Sequence, residues 1–424
     1  MQFKDLILPK RKEGYRKISR YTHSEKDMHD KAVLKTGRFP APVLLSQSPS
    51  ALKKSRALPK RIPGVIFMLN CLLLNCSISH GQQIGKVNAK IKHLASPVNI
   101  DGKVYIFAEL EIFNQSASAI KVSSLKLTDG HQHLIWNTDG EELATLTNVG
   151  EVMVQPRKSR IFYLELPLPD KSKKGILNLS VVYNPHAGKN FPIKLSFKIP
   201  RSKSVKLMAP LKGDNWTAIW NPLWERGHRR VYYSQQGVAR IPGRFAIDFV
   251  KLDSSGKLTA GSPETVSQYY SYGAEVIAVA DGVIASMTND FKESATISAN
   301  ADHAPQFASG NFLSIKIRDS VYAFYEHLFP GSIHLKVGDK VRAGQVVARV
   351  GFTGQASEPH LHFHLADRNS LLGAEGIPFV FKKFKQKGVF NDFTDLGKKR
   401  WKSYDGNSIK LNSRPVSNSV VDLH

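Results

Sequence analysis

The chain has 424 residues, a formal net charge of +25 and 42% hydrophobic residues. That length exceeds one ordinary core and predicts two domains behind a leader, while the apolar fraction excludes a wholly disordered chain. Residues 1–81 hold 16 Lys/Arg against 5 Asp/Glu, and the remainder keeps 44 against 30. A basic excess of this size suits an anionic partner such as a wall polymer or membrane surface. The sequence has no RNP-like or helix-turn-helix pattern, so nucleic acid is not expected as a partner.

Residues 1–59 are basic and aperiodic. They read as a disordered extension, or as sequence lying upstream of the true start. Residues 60–81 read as a signal peptide: Lys60 and Arg61 precede the apolar run 65–74, and small residues follow at Ser79 and Gly81. The run is far shorter than the ~20 residues that cross a bilayer, and Asn70 interrupts it, so no transmembrane span is expected. Export to the cell envelope, secreted or periplasmic, follows. Both cysteines, Cys71 and Cys76, lie in this segment. Its removal leaves no thiol, so a metal in the mature chain must be held by His and carboxylate.

From 82 to 200 the pattern has period two. Val104, Ile106, Ala108, Leu110 and Ile112 share one strand face, and Ile193, Leu195, Phe197 and Ile199 repeat the device around Lys194, Ser196 and Lys198. Phe162, Leu164 and Leu166 do so again, and turn signals such as Asp129-Gly130 separate the strands. With no convincing helical window, this region predicts an immunoglobulin-like β-sandwich that spaces, binds wall or docks a partner. Residues 201–210 read as a basic linker and 211–385 as a second β-rich domain. In that domain the segments 272–284 and 337–350 echo each other, each with a Gly turn before a short apolar strand. The polar tail 386–424 reads as a loose extension.

The chemistry concentrates in Gly351-Phe-Thr-Gly-Gln-Ala-Ser-Glu-Pro-His-Leu-His-Phe-His364. Residues two apart on a strand face the same way, so His360, His362 and His364 line one surface, where imidazoles can share a metal and its water. This loop and strand resemble the His-x-His signature of lysostaphin-type, LytM-like zinc endopeptidases. Tyr325-Glu-His-Leu328 resembles their second catalytic His segment, and Arg244-Phe-Ala-Ile-Asp-Phe249 resembles the strand carrying their His-x-x-x-Asp pair. Order and spacing agree over about residues 244–384. No His-Glu-x-x-His helix is present.

The resemblance implies a mainly β duplicated-hybrid-motif domain that hydrolyses peptidoglycan peptides with Zn2+. It makes Asp248 and His362 zinc ligands and His327 and His360 the catalytic pair; Asn311 and Tyr325 read as structural or substrate-positioning residues rather than catalytic ones. Zinc with three protein ligands keeps a position at which water acidifies. One departure matters: the family's first ligand, a His four residues before the Asp, falls on Arg244, and Arg has no lone pair for a metal. The third ligand is then His228 or His364. A branch of the family is similar in pairing a Gly-His-Arg-Arg segment with an Arg-Phe-Ala-Ile-Asp strand, which favours His228. The other outcome is a degenerate, non-catalytic LytM-like regulator that binds wall and activates a partner hydrolase.

Overall fold

The structure is a computed structural model that describes residues 80–81, 87–169, 175–185, 189–201, 204–224, 227–406 and 408–424. The expected extension 1–59 and nearly all of the expected signal segment lie outside the described residues. Among the described residues, no helix is long and apolar enough to cross a membrane.

The alternating segments form strands as the sequence predicts. One antiparallel sheet pairs Phe191–Lys198 with Ile176–Asn184, then Ile120–Asp129, then Leu134–Asp139. The second is built on Lys103–Asn114, flanked by Val87–Leu94 and Ser159–Leu168. Ile106, Ala108, Leu110 and Ile112 meet Val122, Leu125, Leu127, Val181 and Ile193 in one apolar core, so the two sheets pack as a sandwich. One short helix, Gly140–Thr145, breaks the all-strand expectation. Leu143 buries it, and one apolar side chain gives no helical period to read.

The Lys103–Asn114 strand departs from simple alternation because its other face is buried as well. Phe107 joins the core of the following domain and meets Phe245 edge-on at 5.1 Å. Glu109, two residues further along the strand, has no exposed surface.

The second domain is organised by a twelve-stranded sheet. Its central order is Ser419–Leu423, Gly213–Ile219, Ile247–Lys251, Leu361–Ala366, Val321–Glu326, Phe312–Arg318 and Gly282–Thr288. The two echoing segments pair with each other, Glu275 opposite Arg349 and Val276 opposite Ala348. Two stretches differ from the sequence reading. The supposed linker supplies Val205–Leu207, which runs parallel to Phe379–Val389. The supposed loose tail supplies Ile409–Ser413 and Ser419–Leu423, the latter hydrogen-bonded on both edges. Val420, Val421 and Leu423 are fully buried, so this tail is core.

Candidate metal centre and active site

Strand register sets the site. Asp248 on Ile247–Lys251 stands opposite His362 on Leu361–Ala366, and His362 stands opposite Glu326 on Val321–Glu326. Residues directly opposite one another across adjacent strands share a face and lie close together. The three therefore form a row across three strands.

His228 reaches this row from outside the sheet, on the one-turn 3-10 helix His228–Arg230. Its Nε2 lies 2.7 Å from Asp248 Oδ2, while His362 Nδ1 lies 2.8 Å from Asp248 Oδ1. The two imidazole rings stand edge to face at 4.5 Å. Ligand atoms from His228, Asp248 and His362 all fall within 4.8 Å of one another. Two imidazole nitrogens and one carboxylate converging at that scale fit the donor chemistry of zinc. Arg244 is not between them. It is buried and turned the other way, with Nη2 donating to Glu109 Oε2 at 2.9 Å and Nη1 donating to Glu375 Oε2 at 2.5 Å.

His364, the other candidate for the third ligand, is placed elsewhere. It stacks on Phe324 at 4.9 Å, and its Nδ1 is 3.4 Å from Glu326 Oε1. It is thus grouped with Glu326 and the Nε2 edge of His362, not with Asp248. A one-dimensional His-x-His-x-His count could not separate these two neighbourhoods.

His327 and His360 lie against the same centre, with ring centroids 4.6 Å apart. His327 follows the end of its strand with a positive φ of 62°, a conformation that non-glycine residues rarely adopt and that functional sites concentrate. Its Nδ1 is 2.9 Å from Thr353 O, and His360 Nδ1 is 2.7 Å from Glu358 O. A carbonyl only accepts, so each Nδ1 carries the hydrogen and each neutral ring keeps its lone pair at Nε2. His360 Nε2 is 3.7 Å from Asp248 Oδ1.

The Thr353 cradle depends on close backbone approach. Gly354 has φ +73°, and a Cβ on it would lie 2.3 Å from Ala308 O. Thr353 Oγ1 meanwhile donates to Leu328 O and accepts from Asn311 N, tying the loop to the backbone just after one strand and just before its neighbour. Asn311 and Tyr325 are fully buried. The Asn311 amide is used on both backbone groups of Phe291, and the Tyr325 hydroxyl accepts from Val279 N. Their contacts brace the fold.

Burial and charge fix the protonation states. Burial, reinforced by the neighbouring His360 and His362, holds His327 well below the ordinary imidazole range, and burial lowers His360 too. Burial also opposes charge on Asp248, but the surrounding His228 and His360 outweigh it and hold its carboxyl well below the usual value. His362 moves the other way: against the burial penalty, Glu326 and Asp248 raise it to about 9. The same carboxylates that favour a proton there favour any cation, so a metal and a proton compete for this imidazole. Glu358, unremarked in the sequence, also lines the cleft with Trp224, His228, Asp248, His327 and His360. Burial, with the charge of Asp248, keeps its carboxyl well above the usual range.

Comparison with known proteins bears on this same stretch. Residues 265–372 match the model of Peptidase family M23. The M23 segment contains His327, His360 and His362, while His228 and Asp248 lie before it. Over 109 residues the chain is 31% identical to the glycyl-glycine endopeptidase ALE-1 of Staphylococcus capitis. That alignment covers 25% of this chain and spans a quarter of the relative's length.

Among solved structures, the catalytic domain of the antimicrobial peptidase lysostaphin from Staphylococcus simulans is 21% identical. It covers 34% of this chain and 85% of that one, with a TM-score of 0.21. A variant of the catalytic domain of the prophage-encoded M23 protein EnpA from Enterococcus faecalis is 20% identical. It covers 40% and 94% of the two chains, with a TM-score of 0.23. The family match at 265–372 and the 31% identical relative support the resemblance to LytM-type peptidases read from the histidine motifs.

Proposed function

We propose that this chain is an exported, zinc-dependent endopeptidase that hydrolyses peptide bonds of cell-wall peptidoglycan. The observation that carries the reading is the convergence of His228, Asp248 and His362 beside two imidazoles with free Nε2 atoms. Those first three residues would hold the zinc, which when bound supplies Lewis acidity and makes water acidic enough to attack near neutral pH. The placement of His228 beside Asp248 and His362 supports the catalytic reading over the non-catalytic regulator.

The protein's own residues do the rest. With Nδ1 anchored on a carbonyl, His360 or His327 takes a proton from the attacking water at Nε2 and returns it to the leaving amine nitrogen. The ring that has taken this proton is then an imidazolium with an N–H at Nε2, which can donate to the developing oxyanion before it passes the proton on. The depressed basicity of both rings keeps them neutral and ready to accept at pH 7. Asp248 pairs with both His228 and His362 through its two oxygens, which brings the three together as a donor set. The positive excess of the chain beyond residue 81 favours contact with an anionic wall. The activity named for the Staphylococcus capitis relative supports peptide, rather than glycan, as the substrate.

The test is bound zinc by mass spectrometry together with digestion of purified sacculi. The wild type binds about one zinc and digests the wall; His362→Ala loses both, and His360→Ala keeps the metal but not the activity. Protein that neither binds zinc nor cuts sacculi at any metal concentration rules the reading out. Stimulation of a separate wall amidase by an inactive His360→Ala variant would favour the regulator instead.

A further inference from the structure

We infer that the β-sandwich is a working part of the metal centre, and that its Glu109 is a positioning residue for the ligands His228 and Asp248. The inference rests on the metal-centre reading above and extends it to a domain with no catalytic motif of its own.

His228 sits on a single 3-10 turn with no strand partner to hold it. Most of the side-chain hydrogen bonds that hold that turn come from the sandwich, while Arg230 Nε also donates to Pro222 O at 2.7 Å. Arg229, next in sequence to the ligand, donates from Nη1 to Glu109 and from Nη2 to Leu164 O at 3.0 Å and Ala108 O at 3.3 Å. Its guanidinium lies over the Phe107 ring at 4.9 Å. Arg230 donates to Thr147 O and Thr145 O, each at 2.8 Å, and lies over Tyr163 at 5.1 Å. All of these partners except the arginines and Pro222 belong to the sandwich, so the ligand-bearing turn is clamped onto the neighbouring domain.

Glu109 then ties this turn to the other ligand. Its second oxygen accepts from Arg244 Nη2 at 2.9 Å, and Arg244 Nε is 3.2 Å from its first. Arg244 lies four residues before Asp248, on the turn Pro242–Phe245 that feeds the Asp248 strand. One carboxylate thus binds the guanidinium adjacent to His228 and the guanidinium leading to Asp248. The spacing of two zinc ligands is fixed by a residue that touches neither.

The chemistry supports a dedicated contact. Glu109 is fully buried, and Arg229 and Arg244 are nearly so. Two buried cations are balanced by Glu109 and by Glu375, which accepts from Arg244 Nη1. Arg suits this duty where Lys does not, because its planar fork can engage a carboxylate and carbonyls at fixed angles together. The residue that displaced the familiar ligand at position 244 therefore has a use: it belongs to the clamp that holds the replacement ligand, His228.

The test compares zinc affinity at matched stability. Glu109→Gln keeps the side-chain shape and loses the charge, whereas Leu110→Ala weakens the sandwich core one residue away without touching either arginine. Zinc dissociation constants are measured on the full-length protein by competition with a chromophoric chelator, well below every melting transition. Residues that orient metal ligands from outside the coordination sphere contribute ~10- to 100-fold to affinity. We expect a loss in that range for Glu109→Gln and wild-type affinity for Leu110→Ala.

Should Glu109→Gln not fold, Glu109→Asp decides by the same comparison, since it keeps the charge and shortens the reach by one methylene. Wild-type zinc affinity in a folded Glu109 variant overturns the inference while leaving the peptidase reading intact. Equal losses in the Glu109 variant and Leu110→Ala overturn it too, by showing a merely structural role. A wild-type protein that binds no zinc overturns both readings.

Discussion

The substitution Arg244→His restores to this chain the residue that lysostaphin-type peptidases carry as their first ligand, and the structure predicts that it restores nothing. Arg244 is 3% exposed and points to Glu109 and Glu375, away from Asp248. An imidazole there is too short to reproduce both ion pairs, so Glu375 loses its partner and Glu109 keeps only Arg229. Breaking a buried, hydrogen-bonded pair from one side costs ~3–5 kcal/mol. At ~2–4 °C per kcal/mol for a domain of this size, the melting temperature falls by roughly 10 °C.

Zinc affinity in Arg244→His should not rise above wild type, and the double variant with His228→Ala should bind zinc no better than His228→Ala alone. Calorimetry gives the first quantity and chelator competition the second. If Arg244→His rescues zinc binding in the His228→Ala background, position 244 does face the metal and the assignment of His228 fails.

Other consequences can be measured on the same protein. His228→Ala removes one of the three proposed ligands. With ~10–16 kcal/mol spread over four ligands in structural zinc sites, roughly 3 kcal/mol is lost, or about a hundredfold in zinc affinity. Unchanged affinity by chelator competition would contradict the geometry.

Glu109 is held at about 2 despite its burial, because Arg244 and Arg229 outweigh that penalty. A depressed folded-state pKa means stability that is complete above the unfolded carboxyl value of 4.5 and is lost as pH falls from there towards 2. Denaturant titrations at pH 6 and pH 3 should show a drop of about 2 kcal/mol in wild type that is much smaller in Glu109→Gln. Gly354→Ala places a Cβ against Ala308 O and strains a φ of +73°. We expect ~1–3 kcal/mol of lost stability, and sacculus digestion reduced more than zinc content because the loop carries the His327 partner Thr353. Truncation after residue 413 should yield insoluble protein, since it removes a strand paired on both edges; a soluble, cooperatively melting product would refute that placement.

The sequence by itself determined the strands and the histidine chemistry. Period-two alternation marked Lys103–Asn114 and Phe191–Lys198, and the spacing of His360 and His362 placed both on one side of a strand mouth. Those signals are local: side-chain direction follows from strand geometry alone. Only the tertiary structure brings His228, rather than His364, to Asp248 and His362. His228 is 20 residues from Asp248 and reaches it through a turn that a separate domain clamps.

Glu109 is 135 residues from Arg244, and on the strand it reads as an ordinary polar position in an alternating pattern. Its burial exists only because a second domain covers the outer face of the sandwich. The end of the chain was misread for a related reason. Ser419–Leu423 is five residues long and buried on both faces, so it shows neither alternation nor length, and its place in the sheet comes entirely from partners far back in the chain.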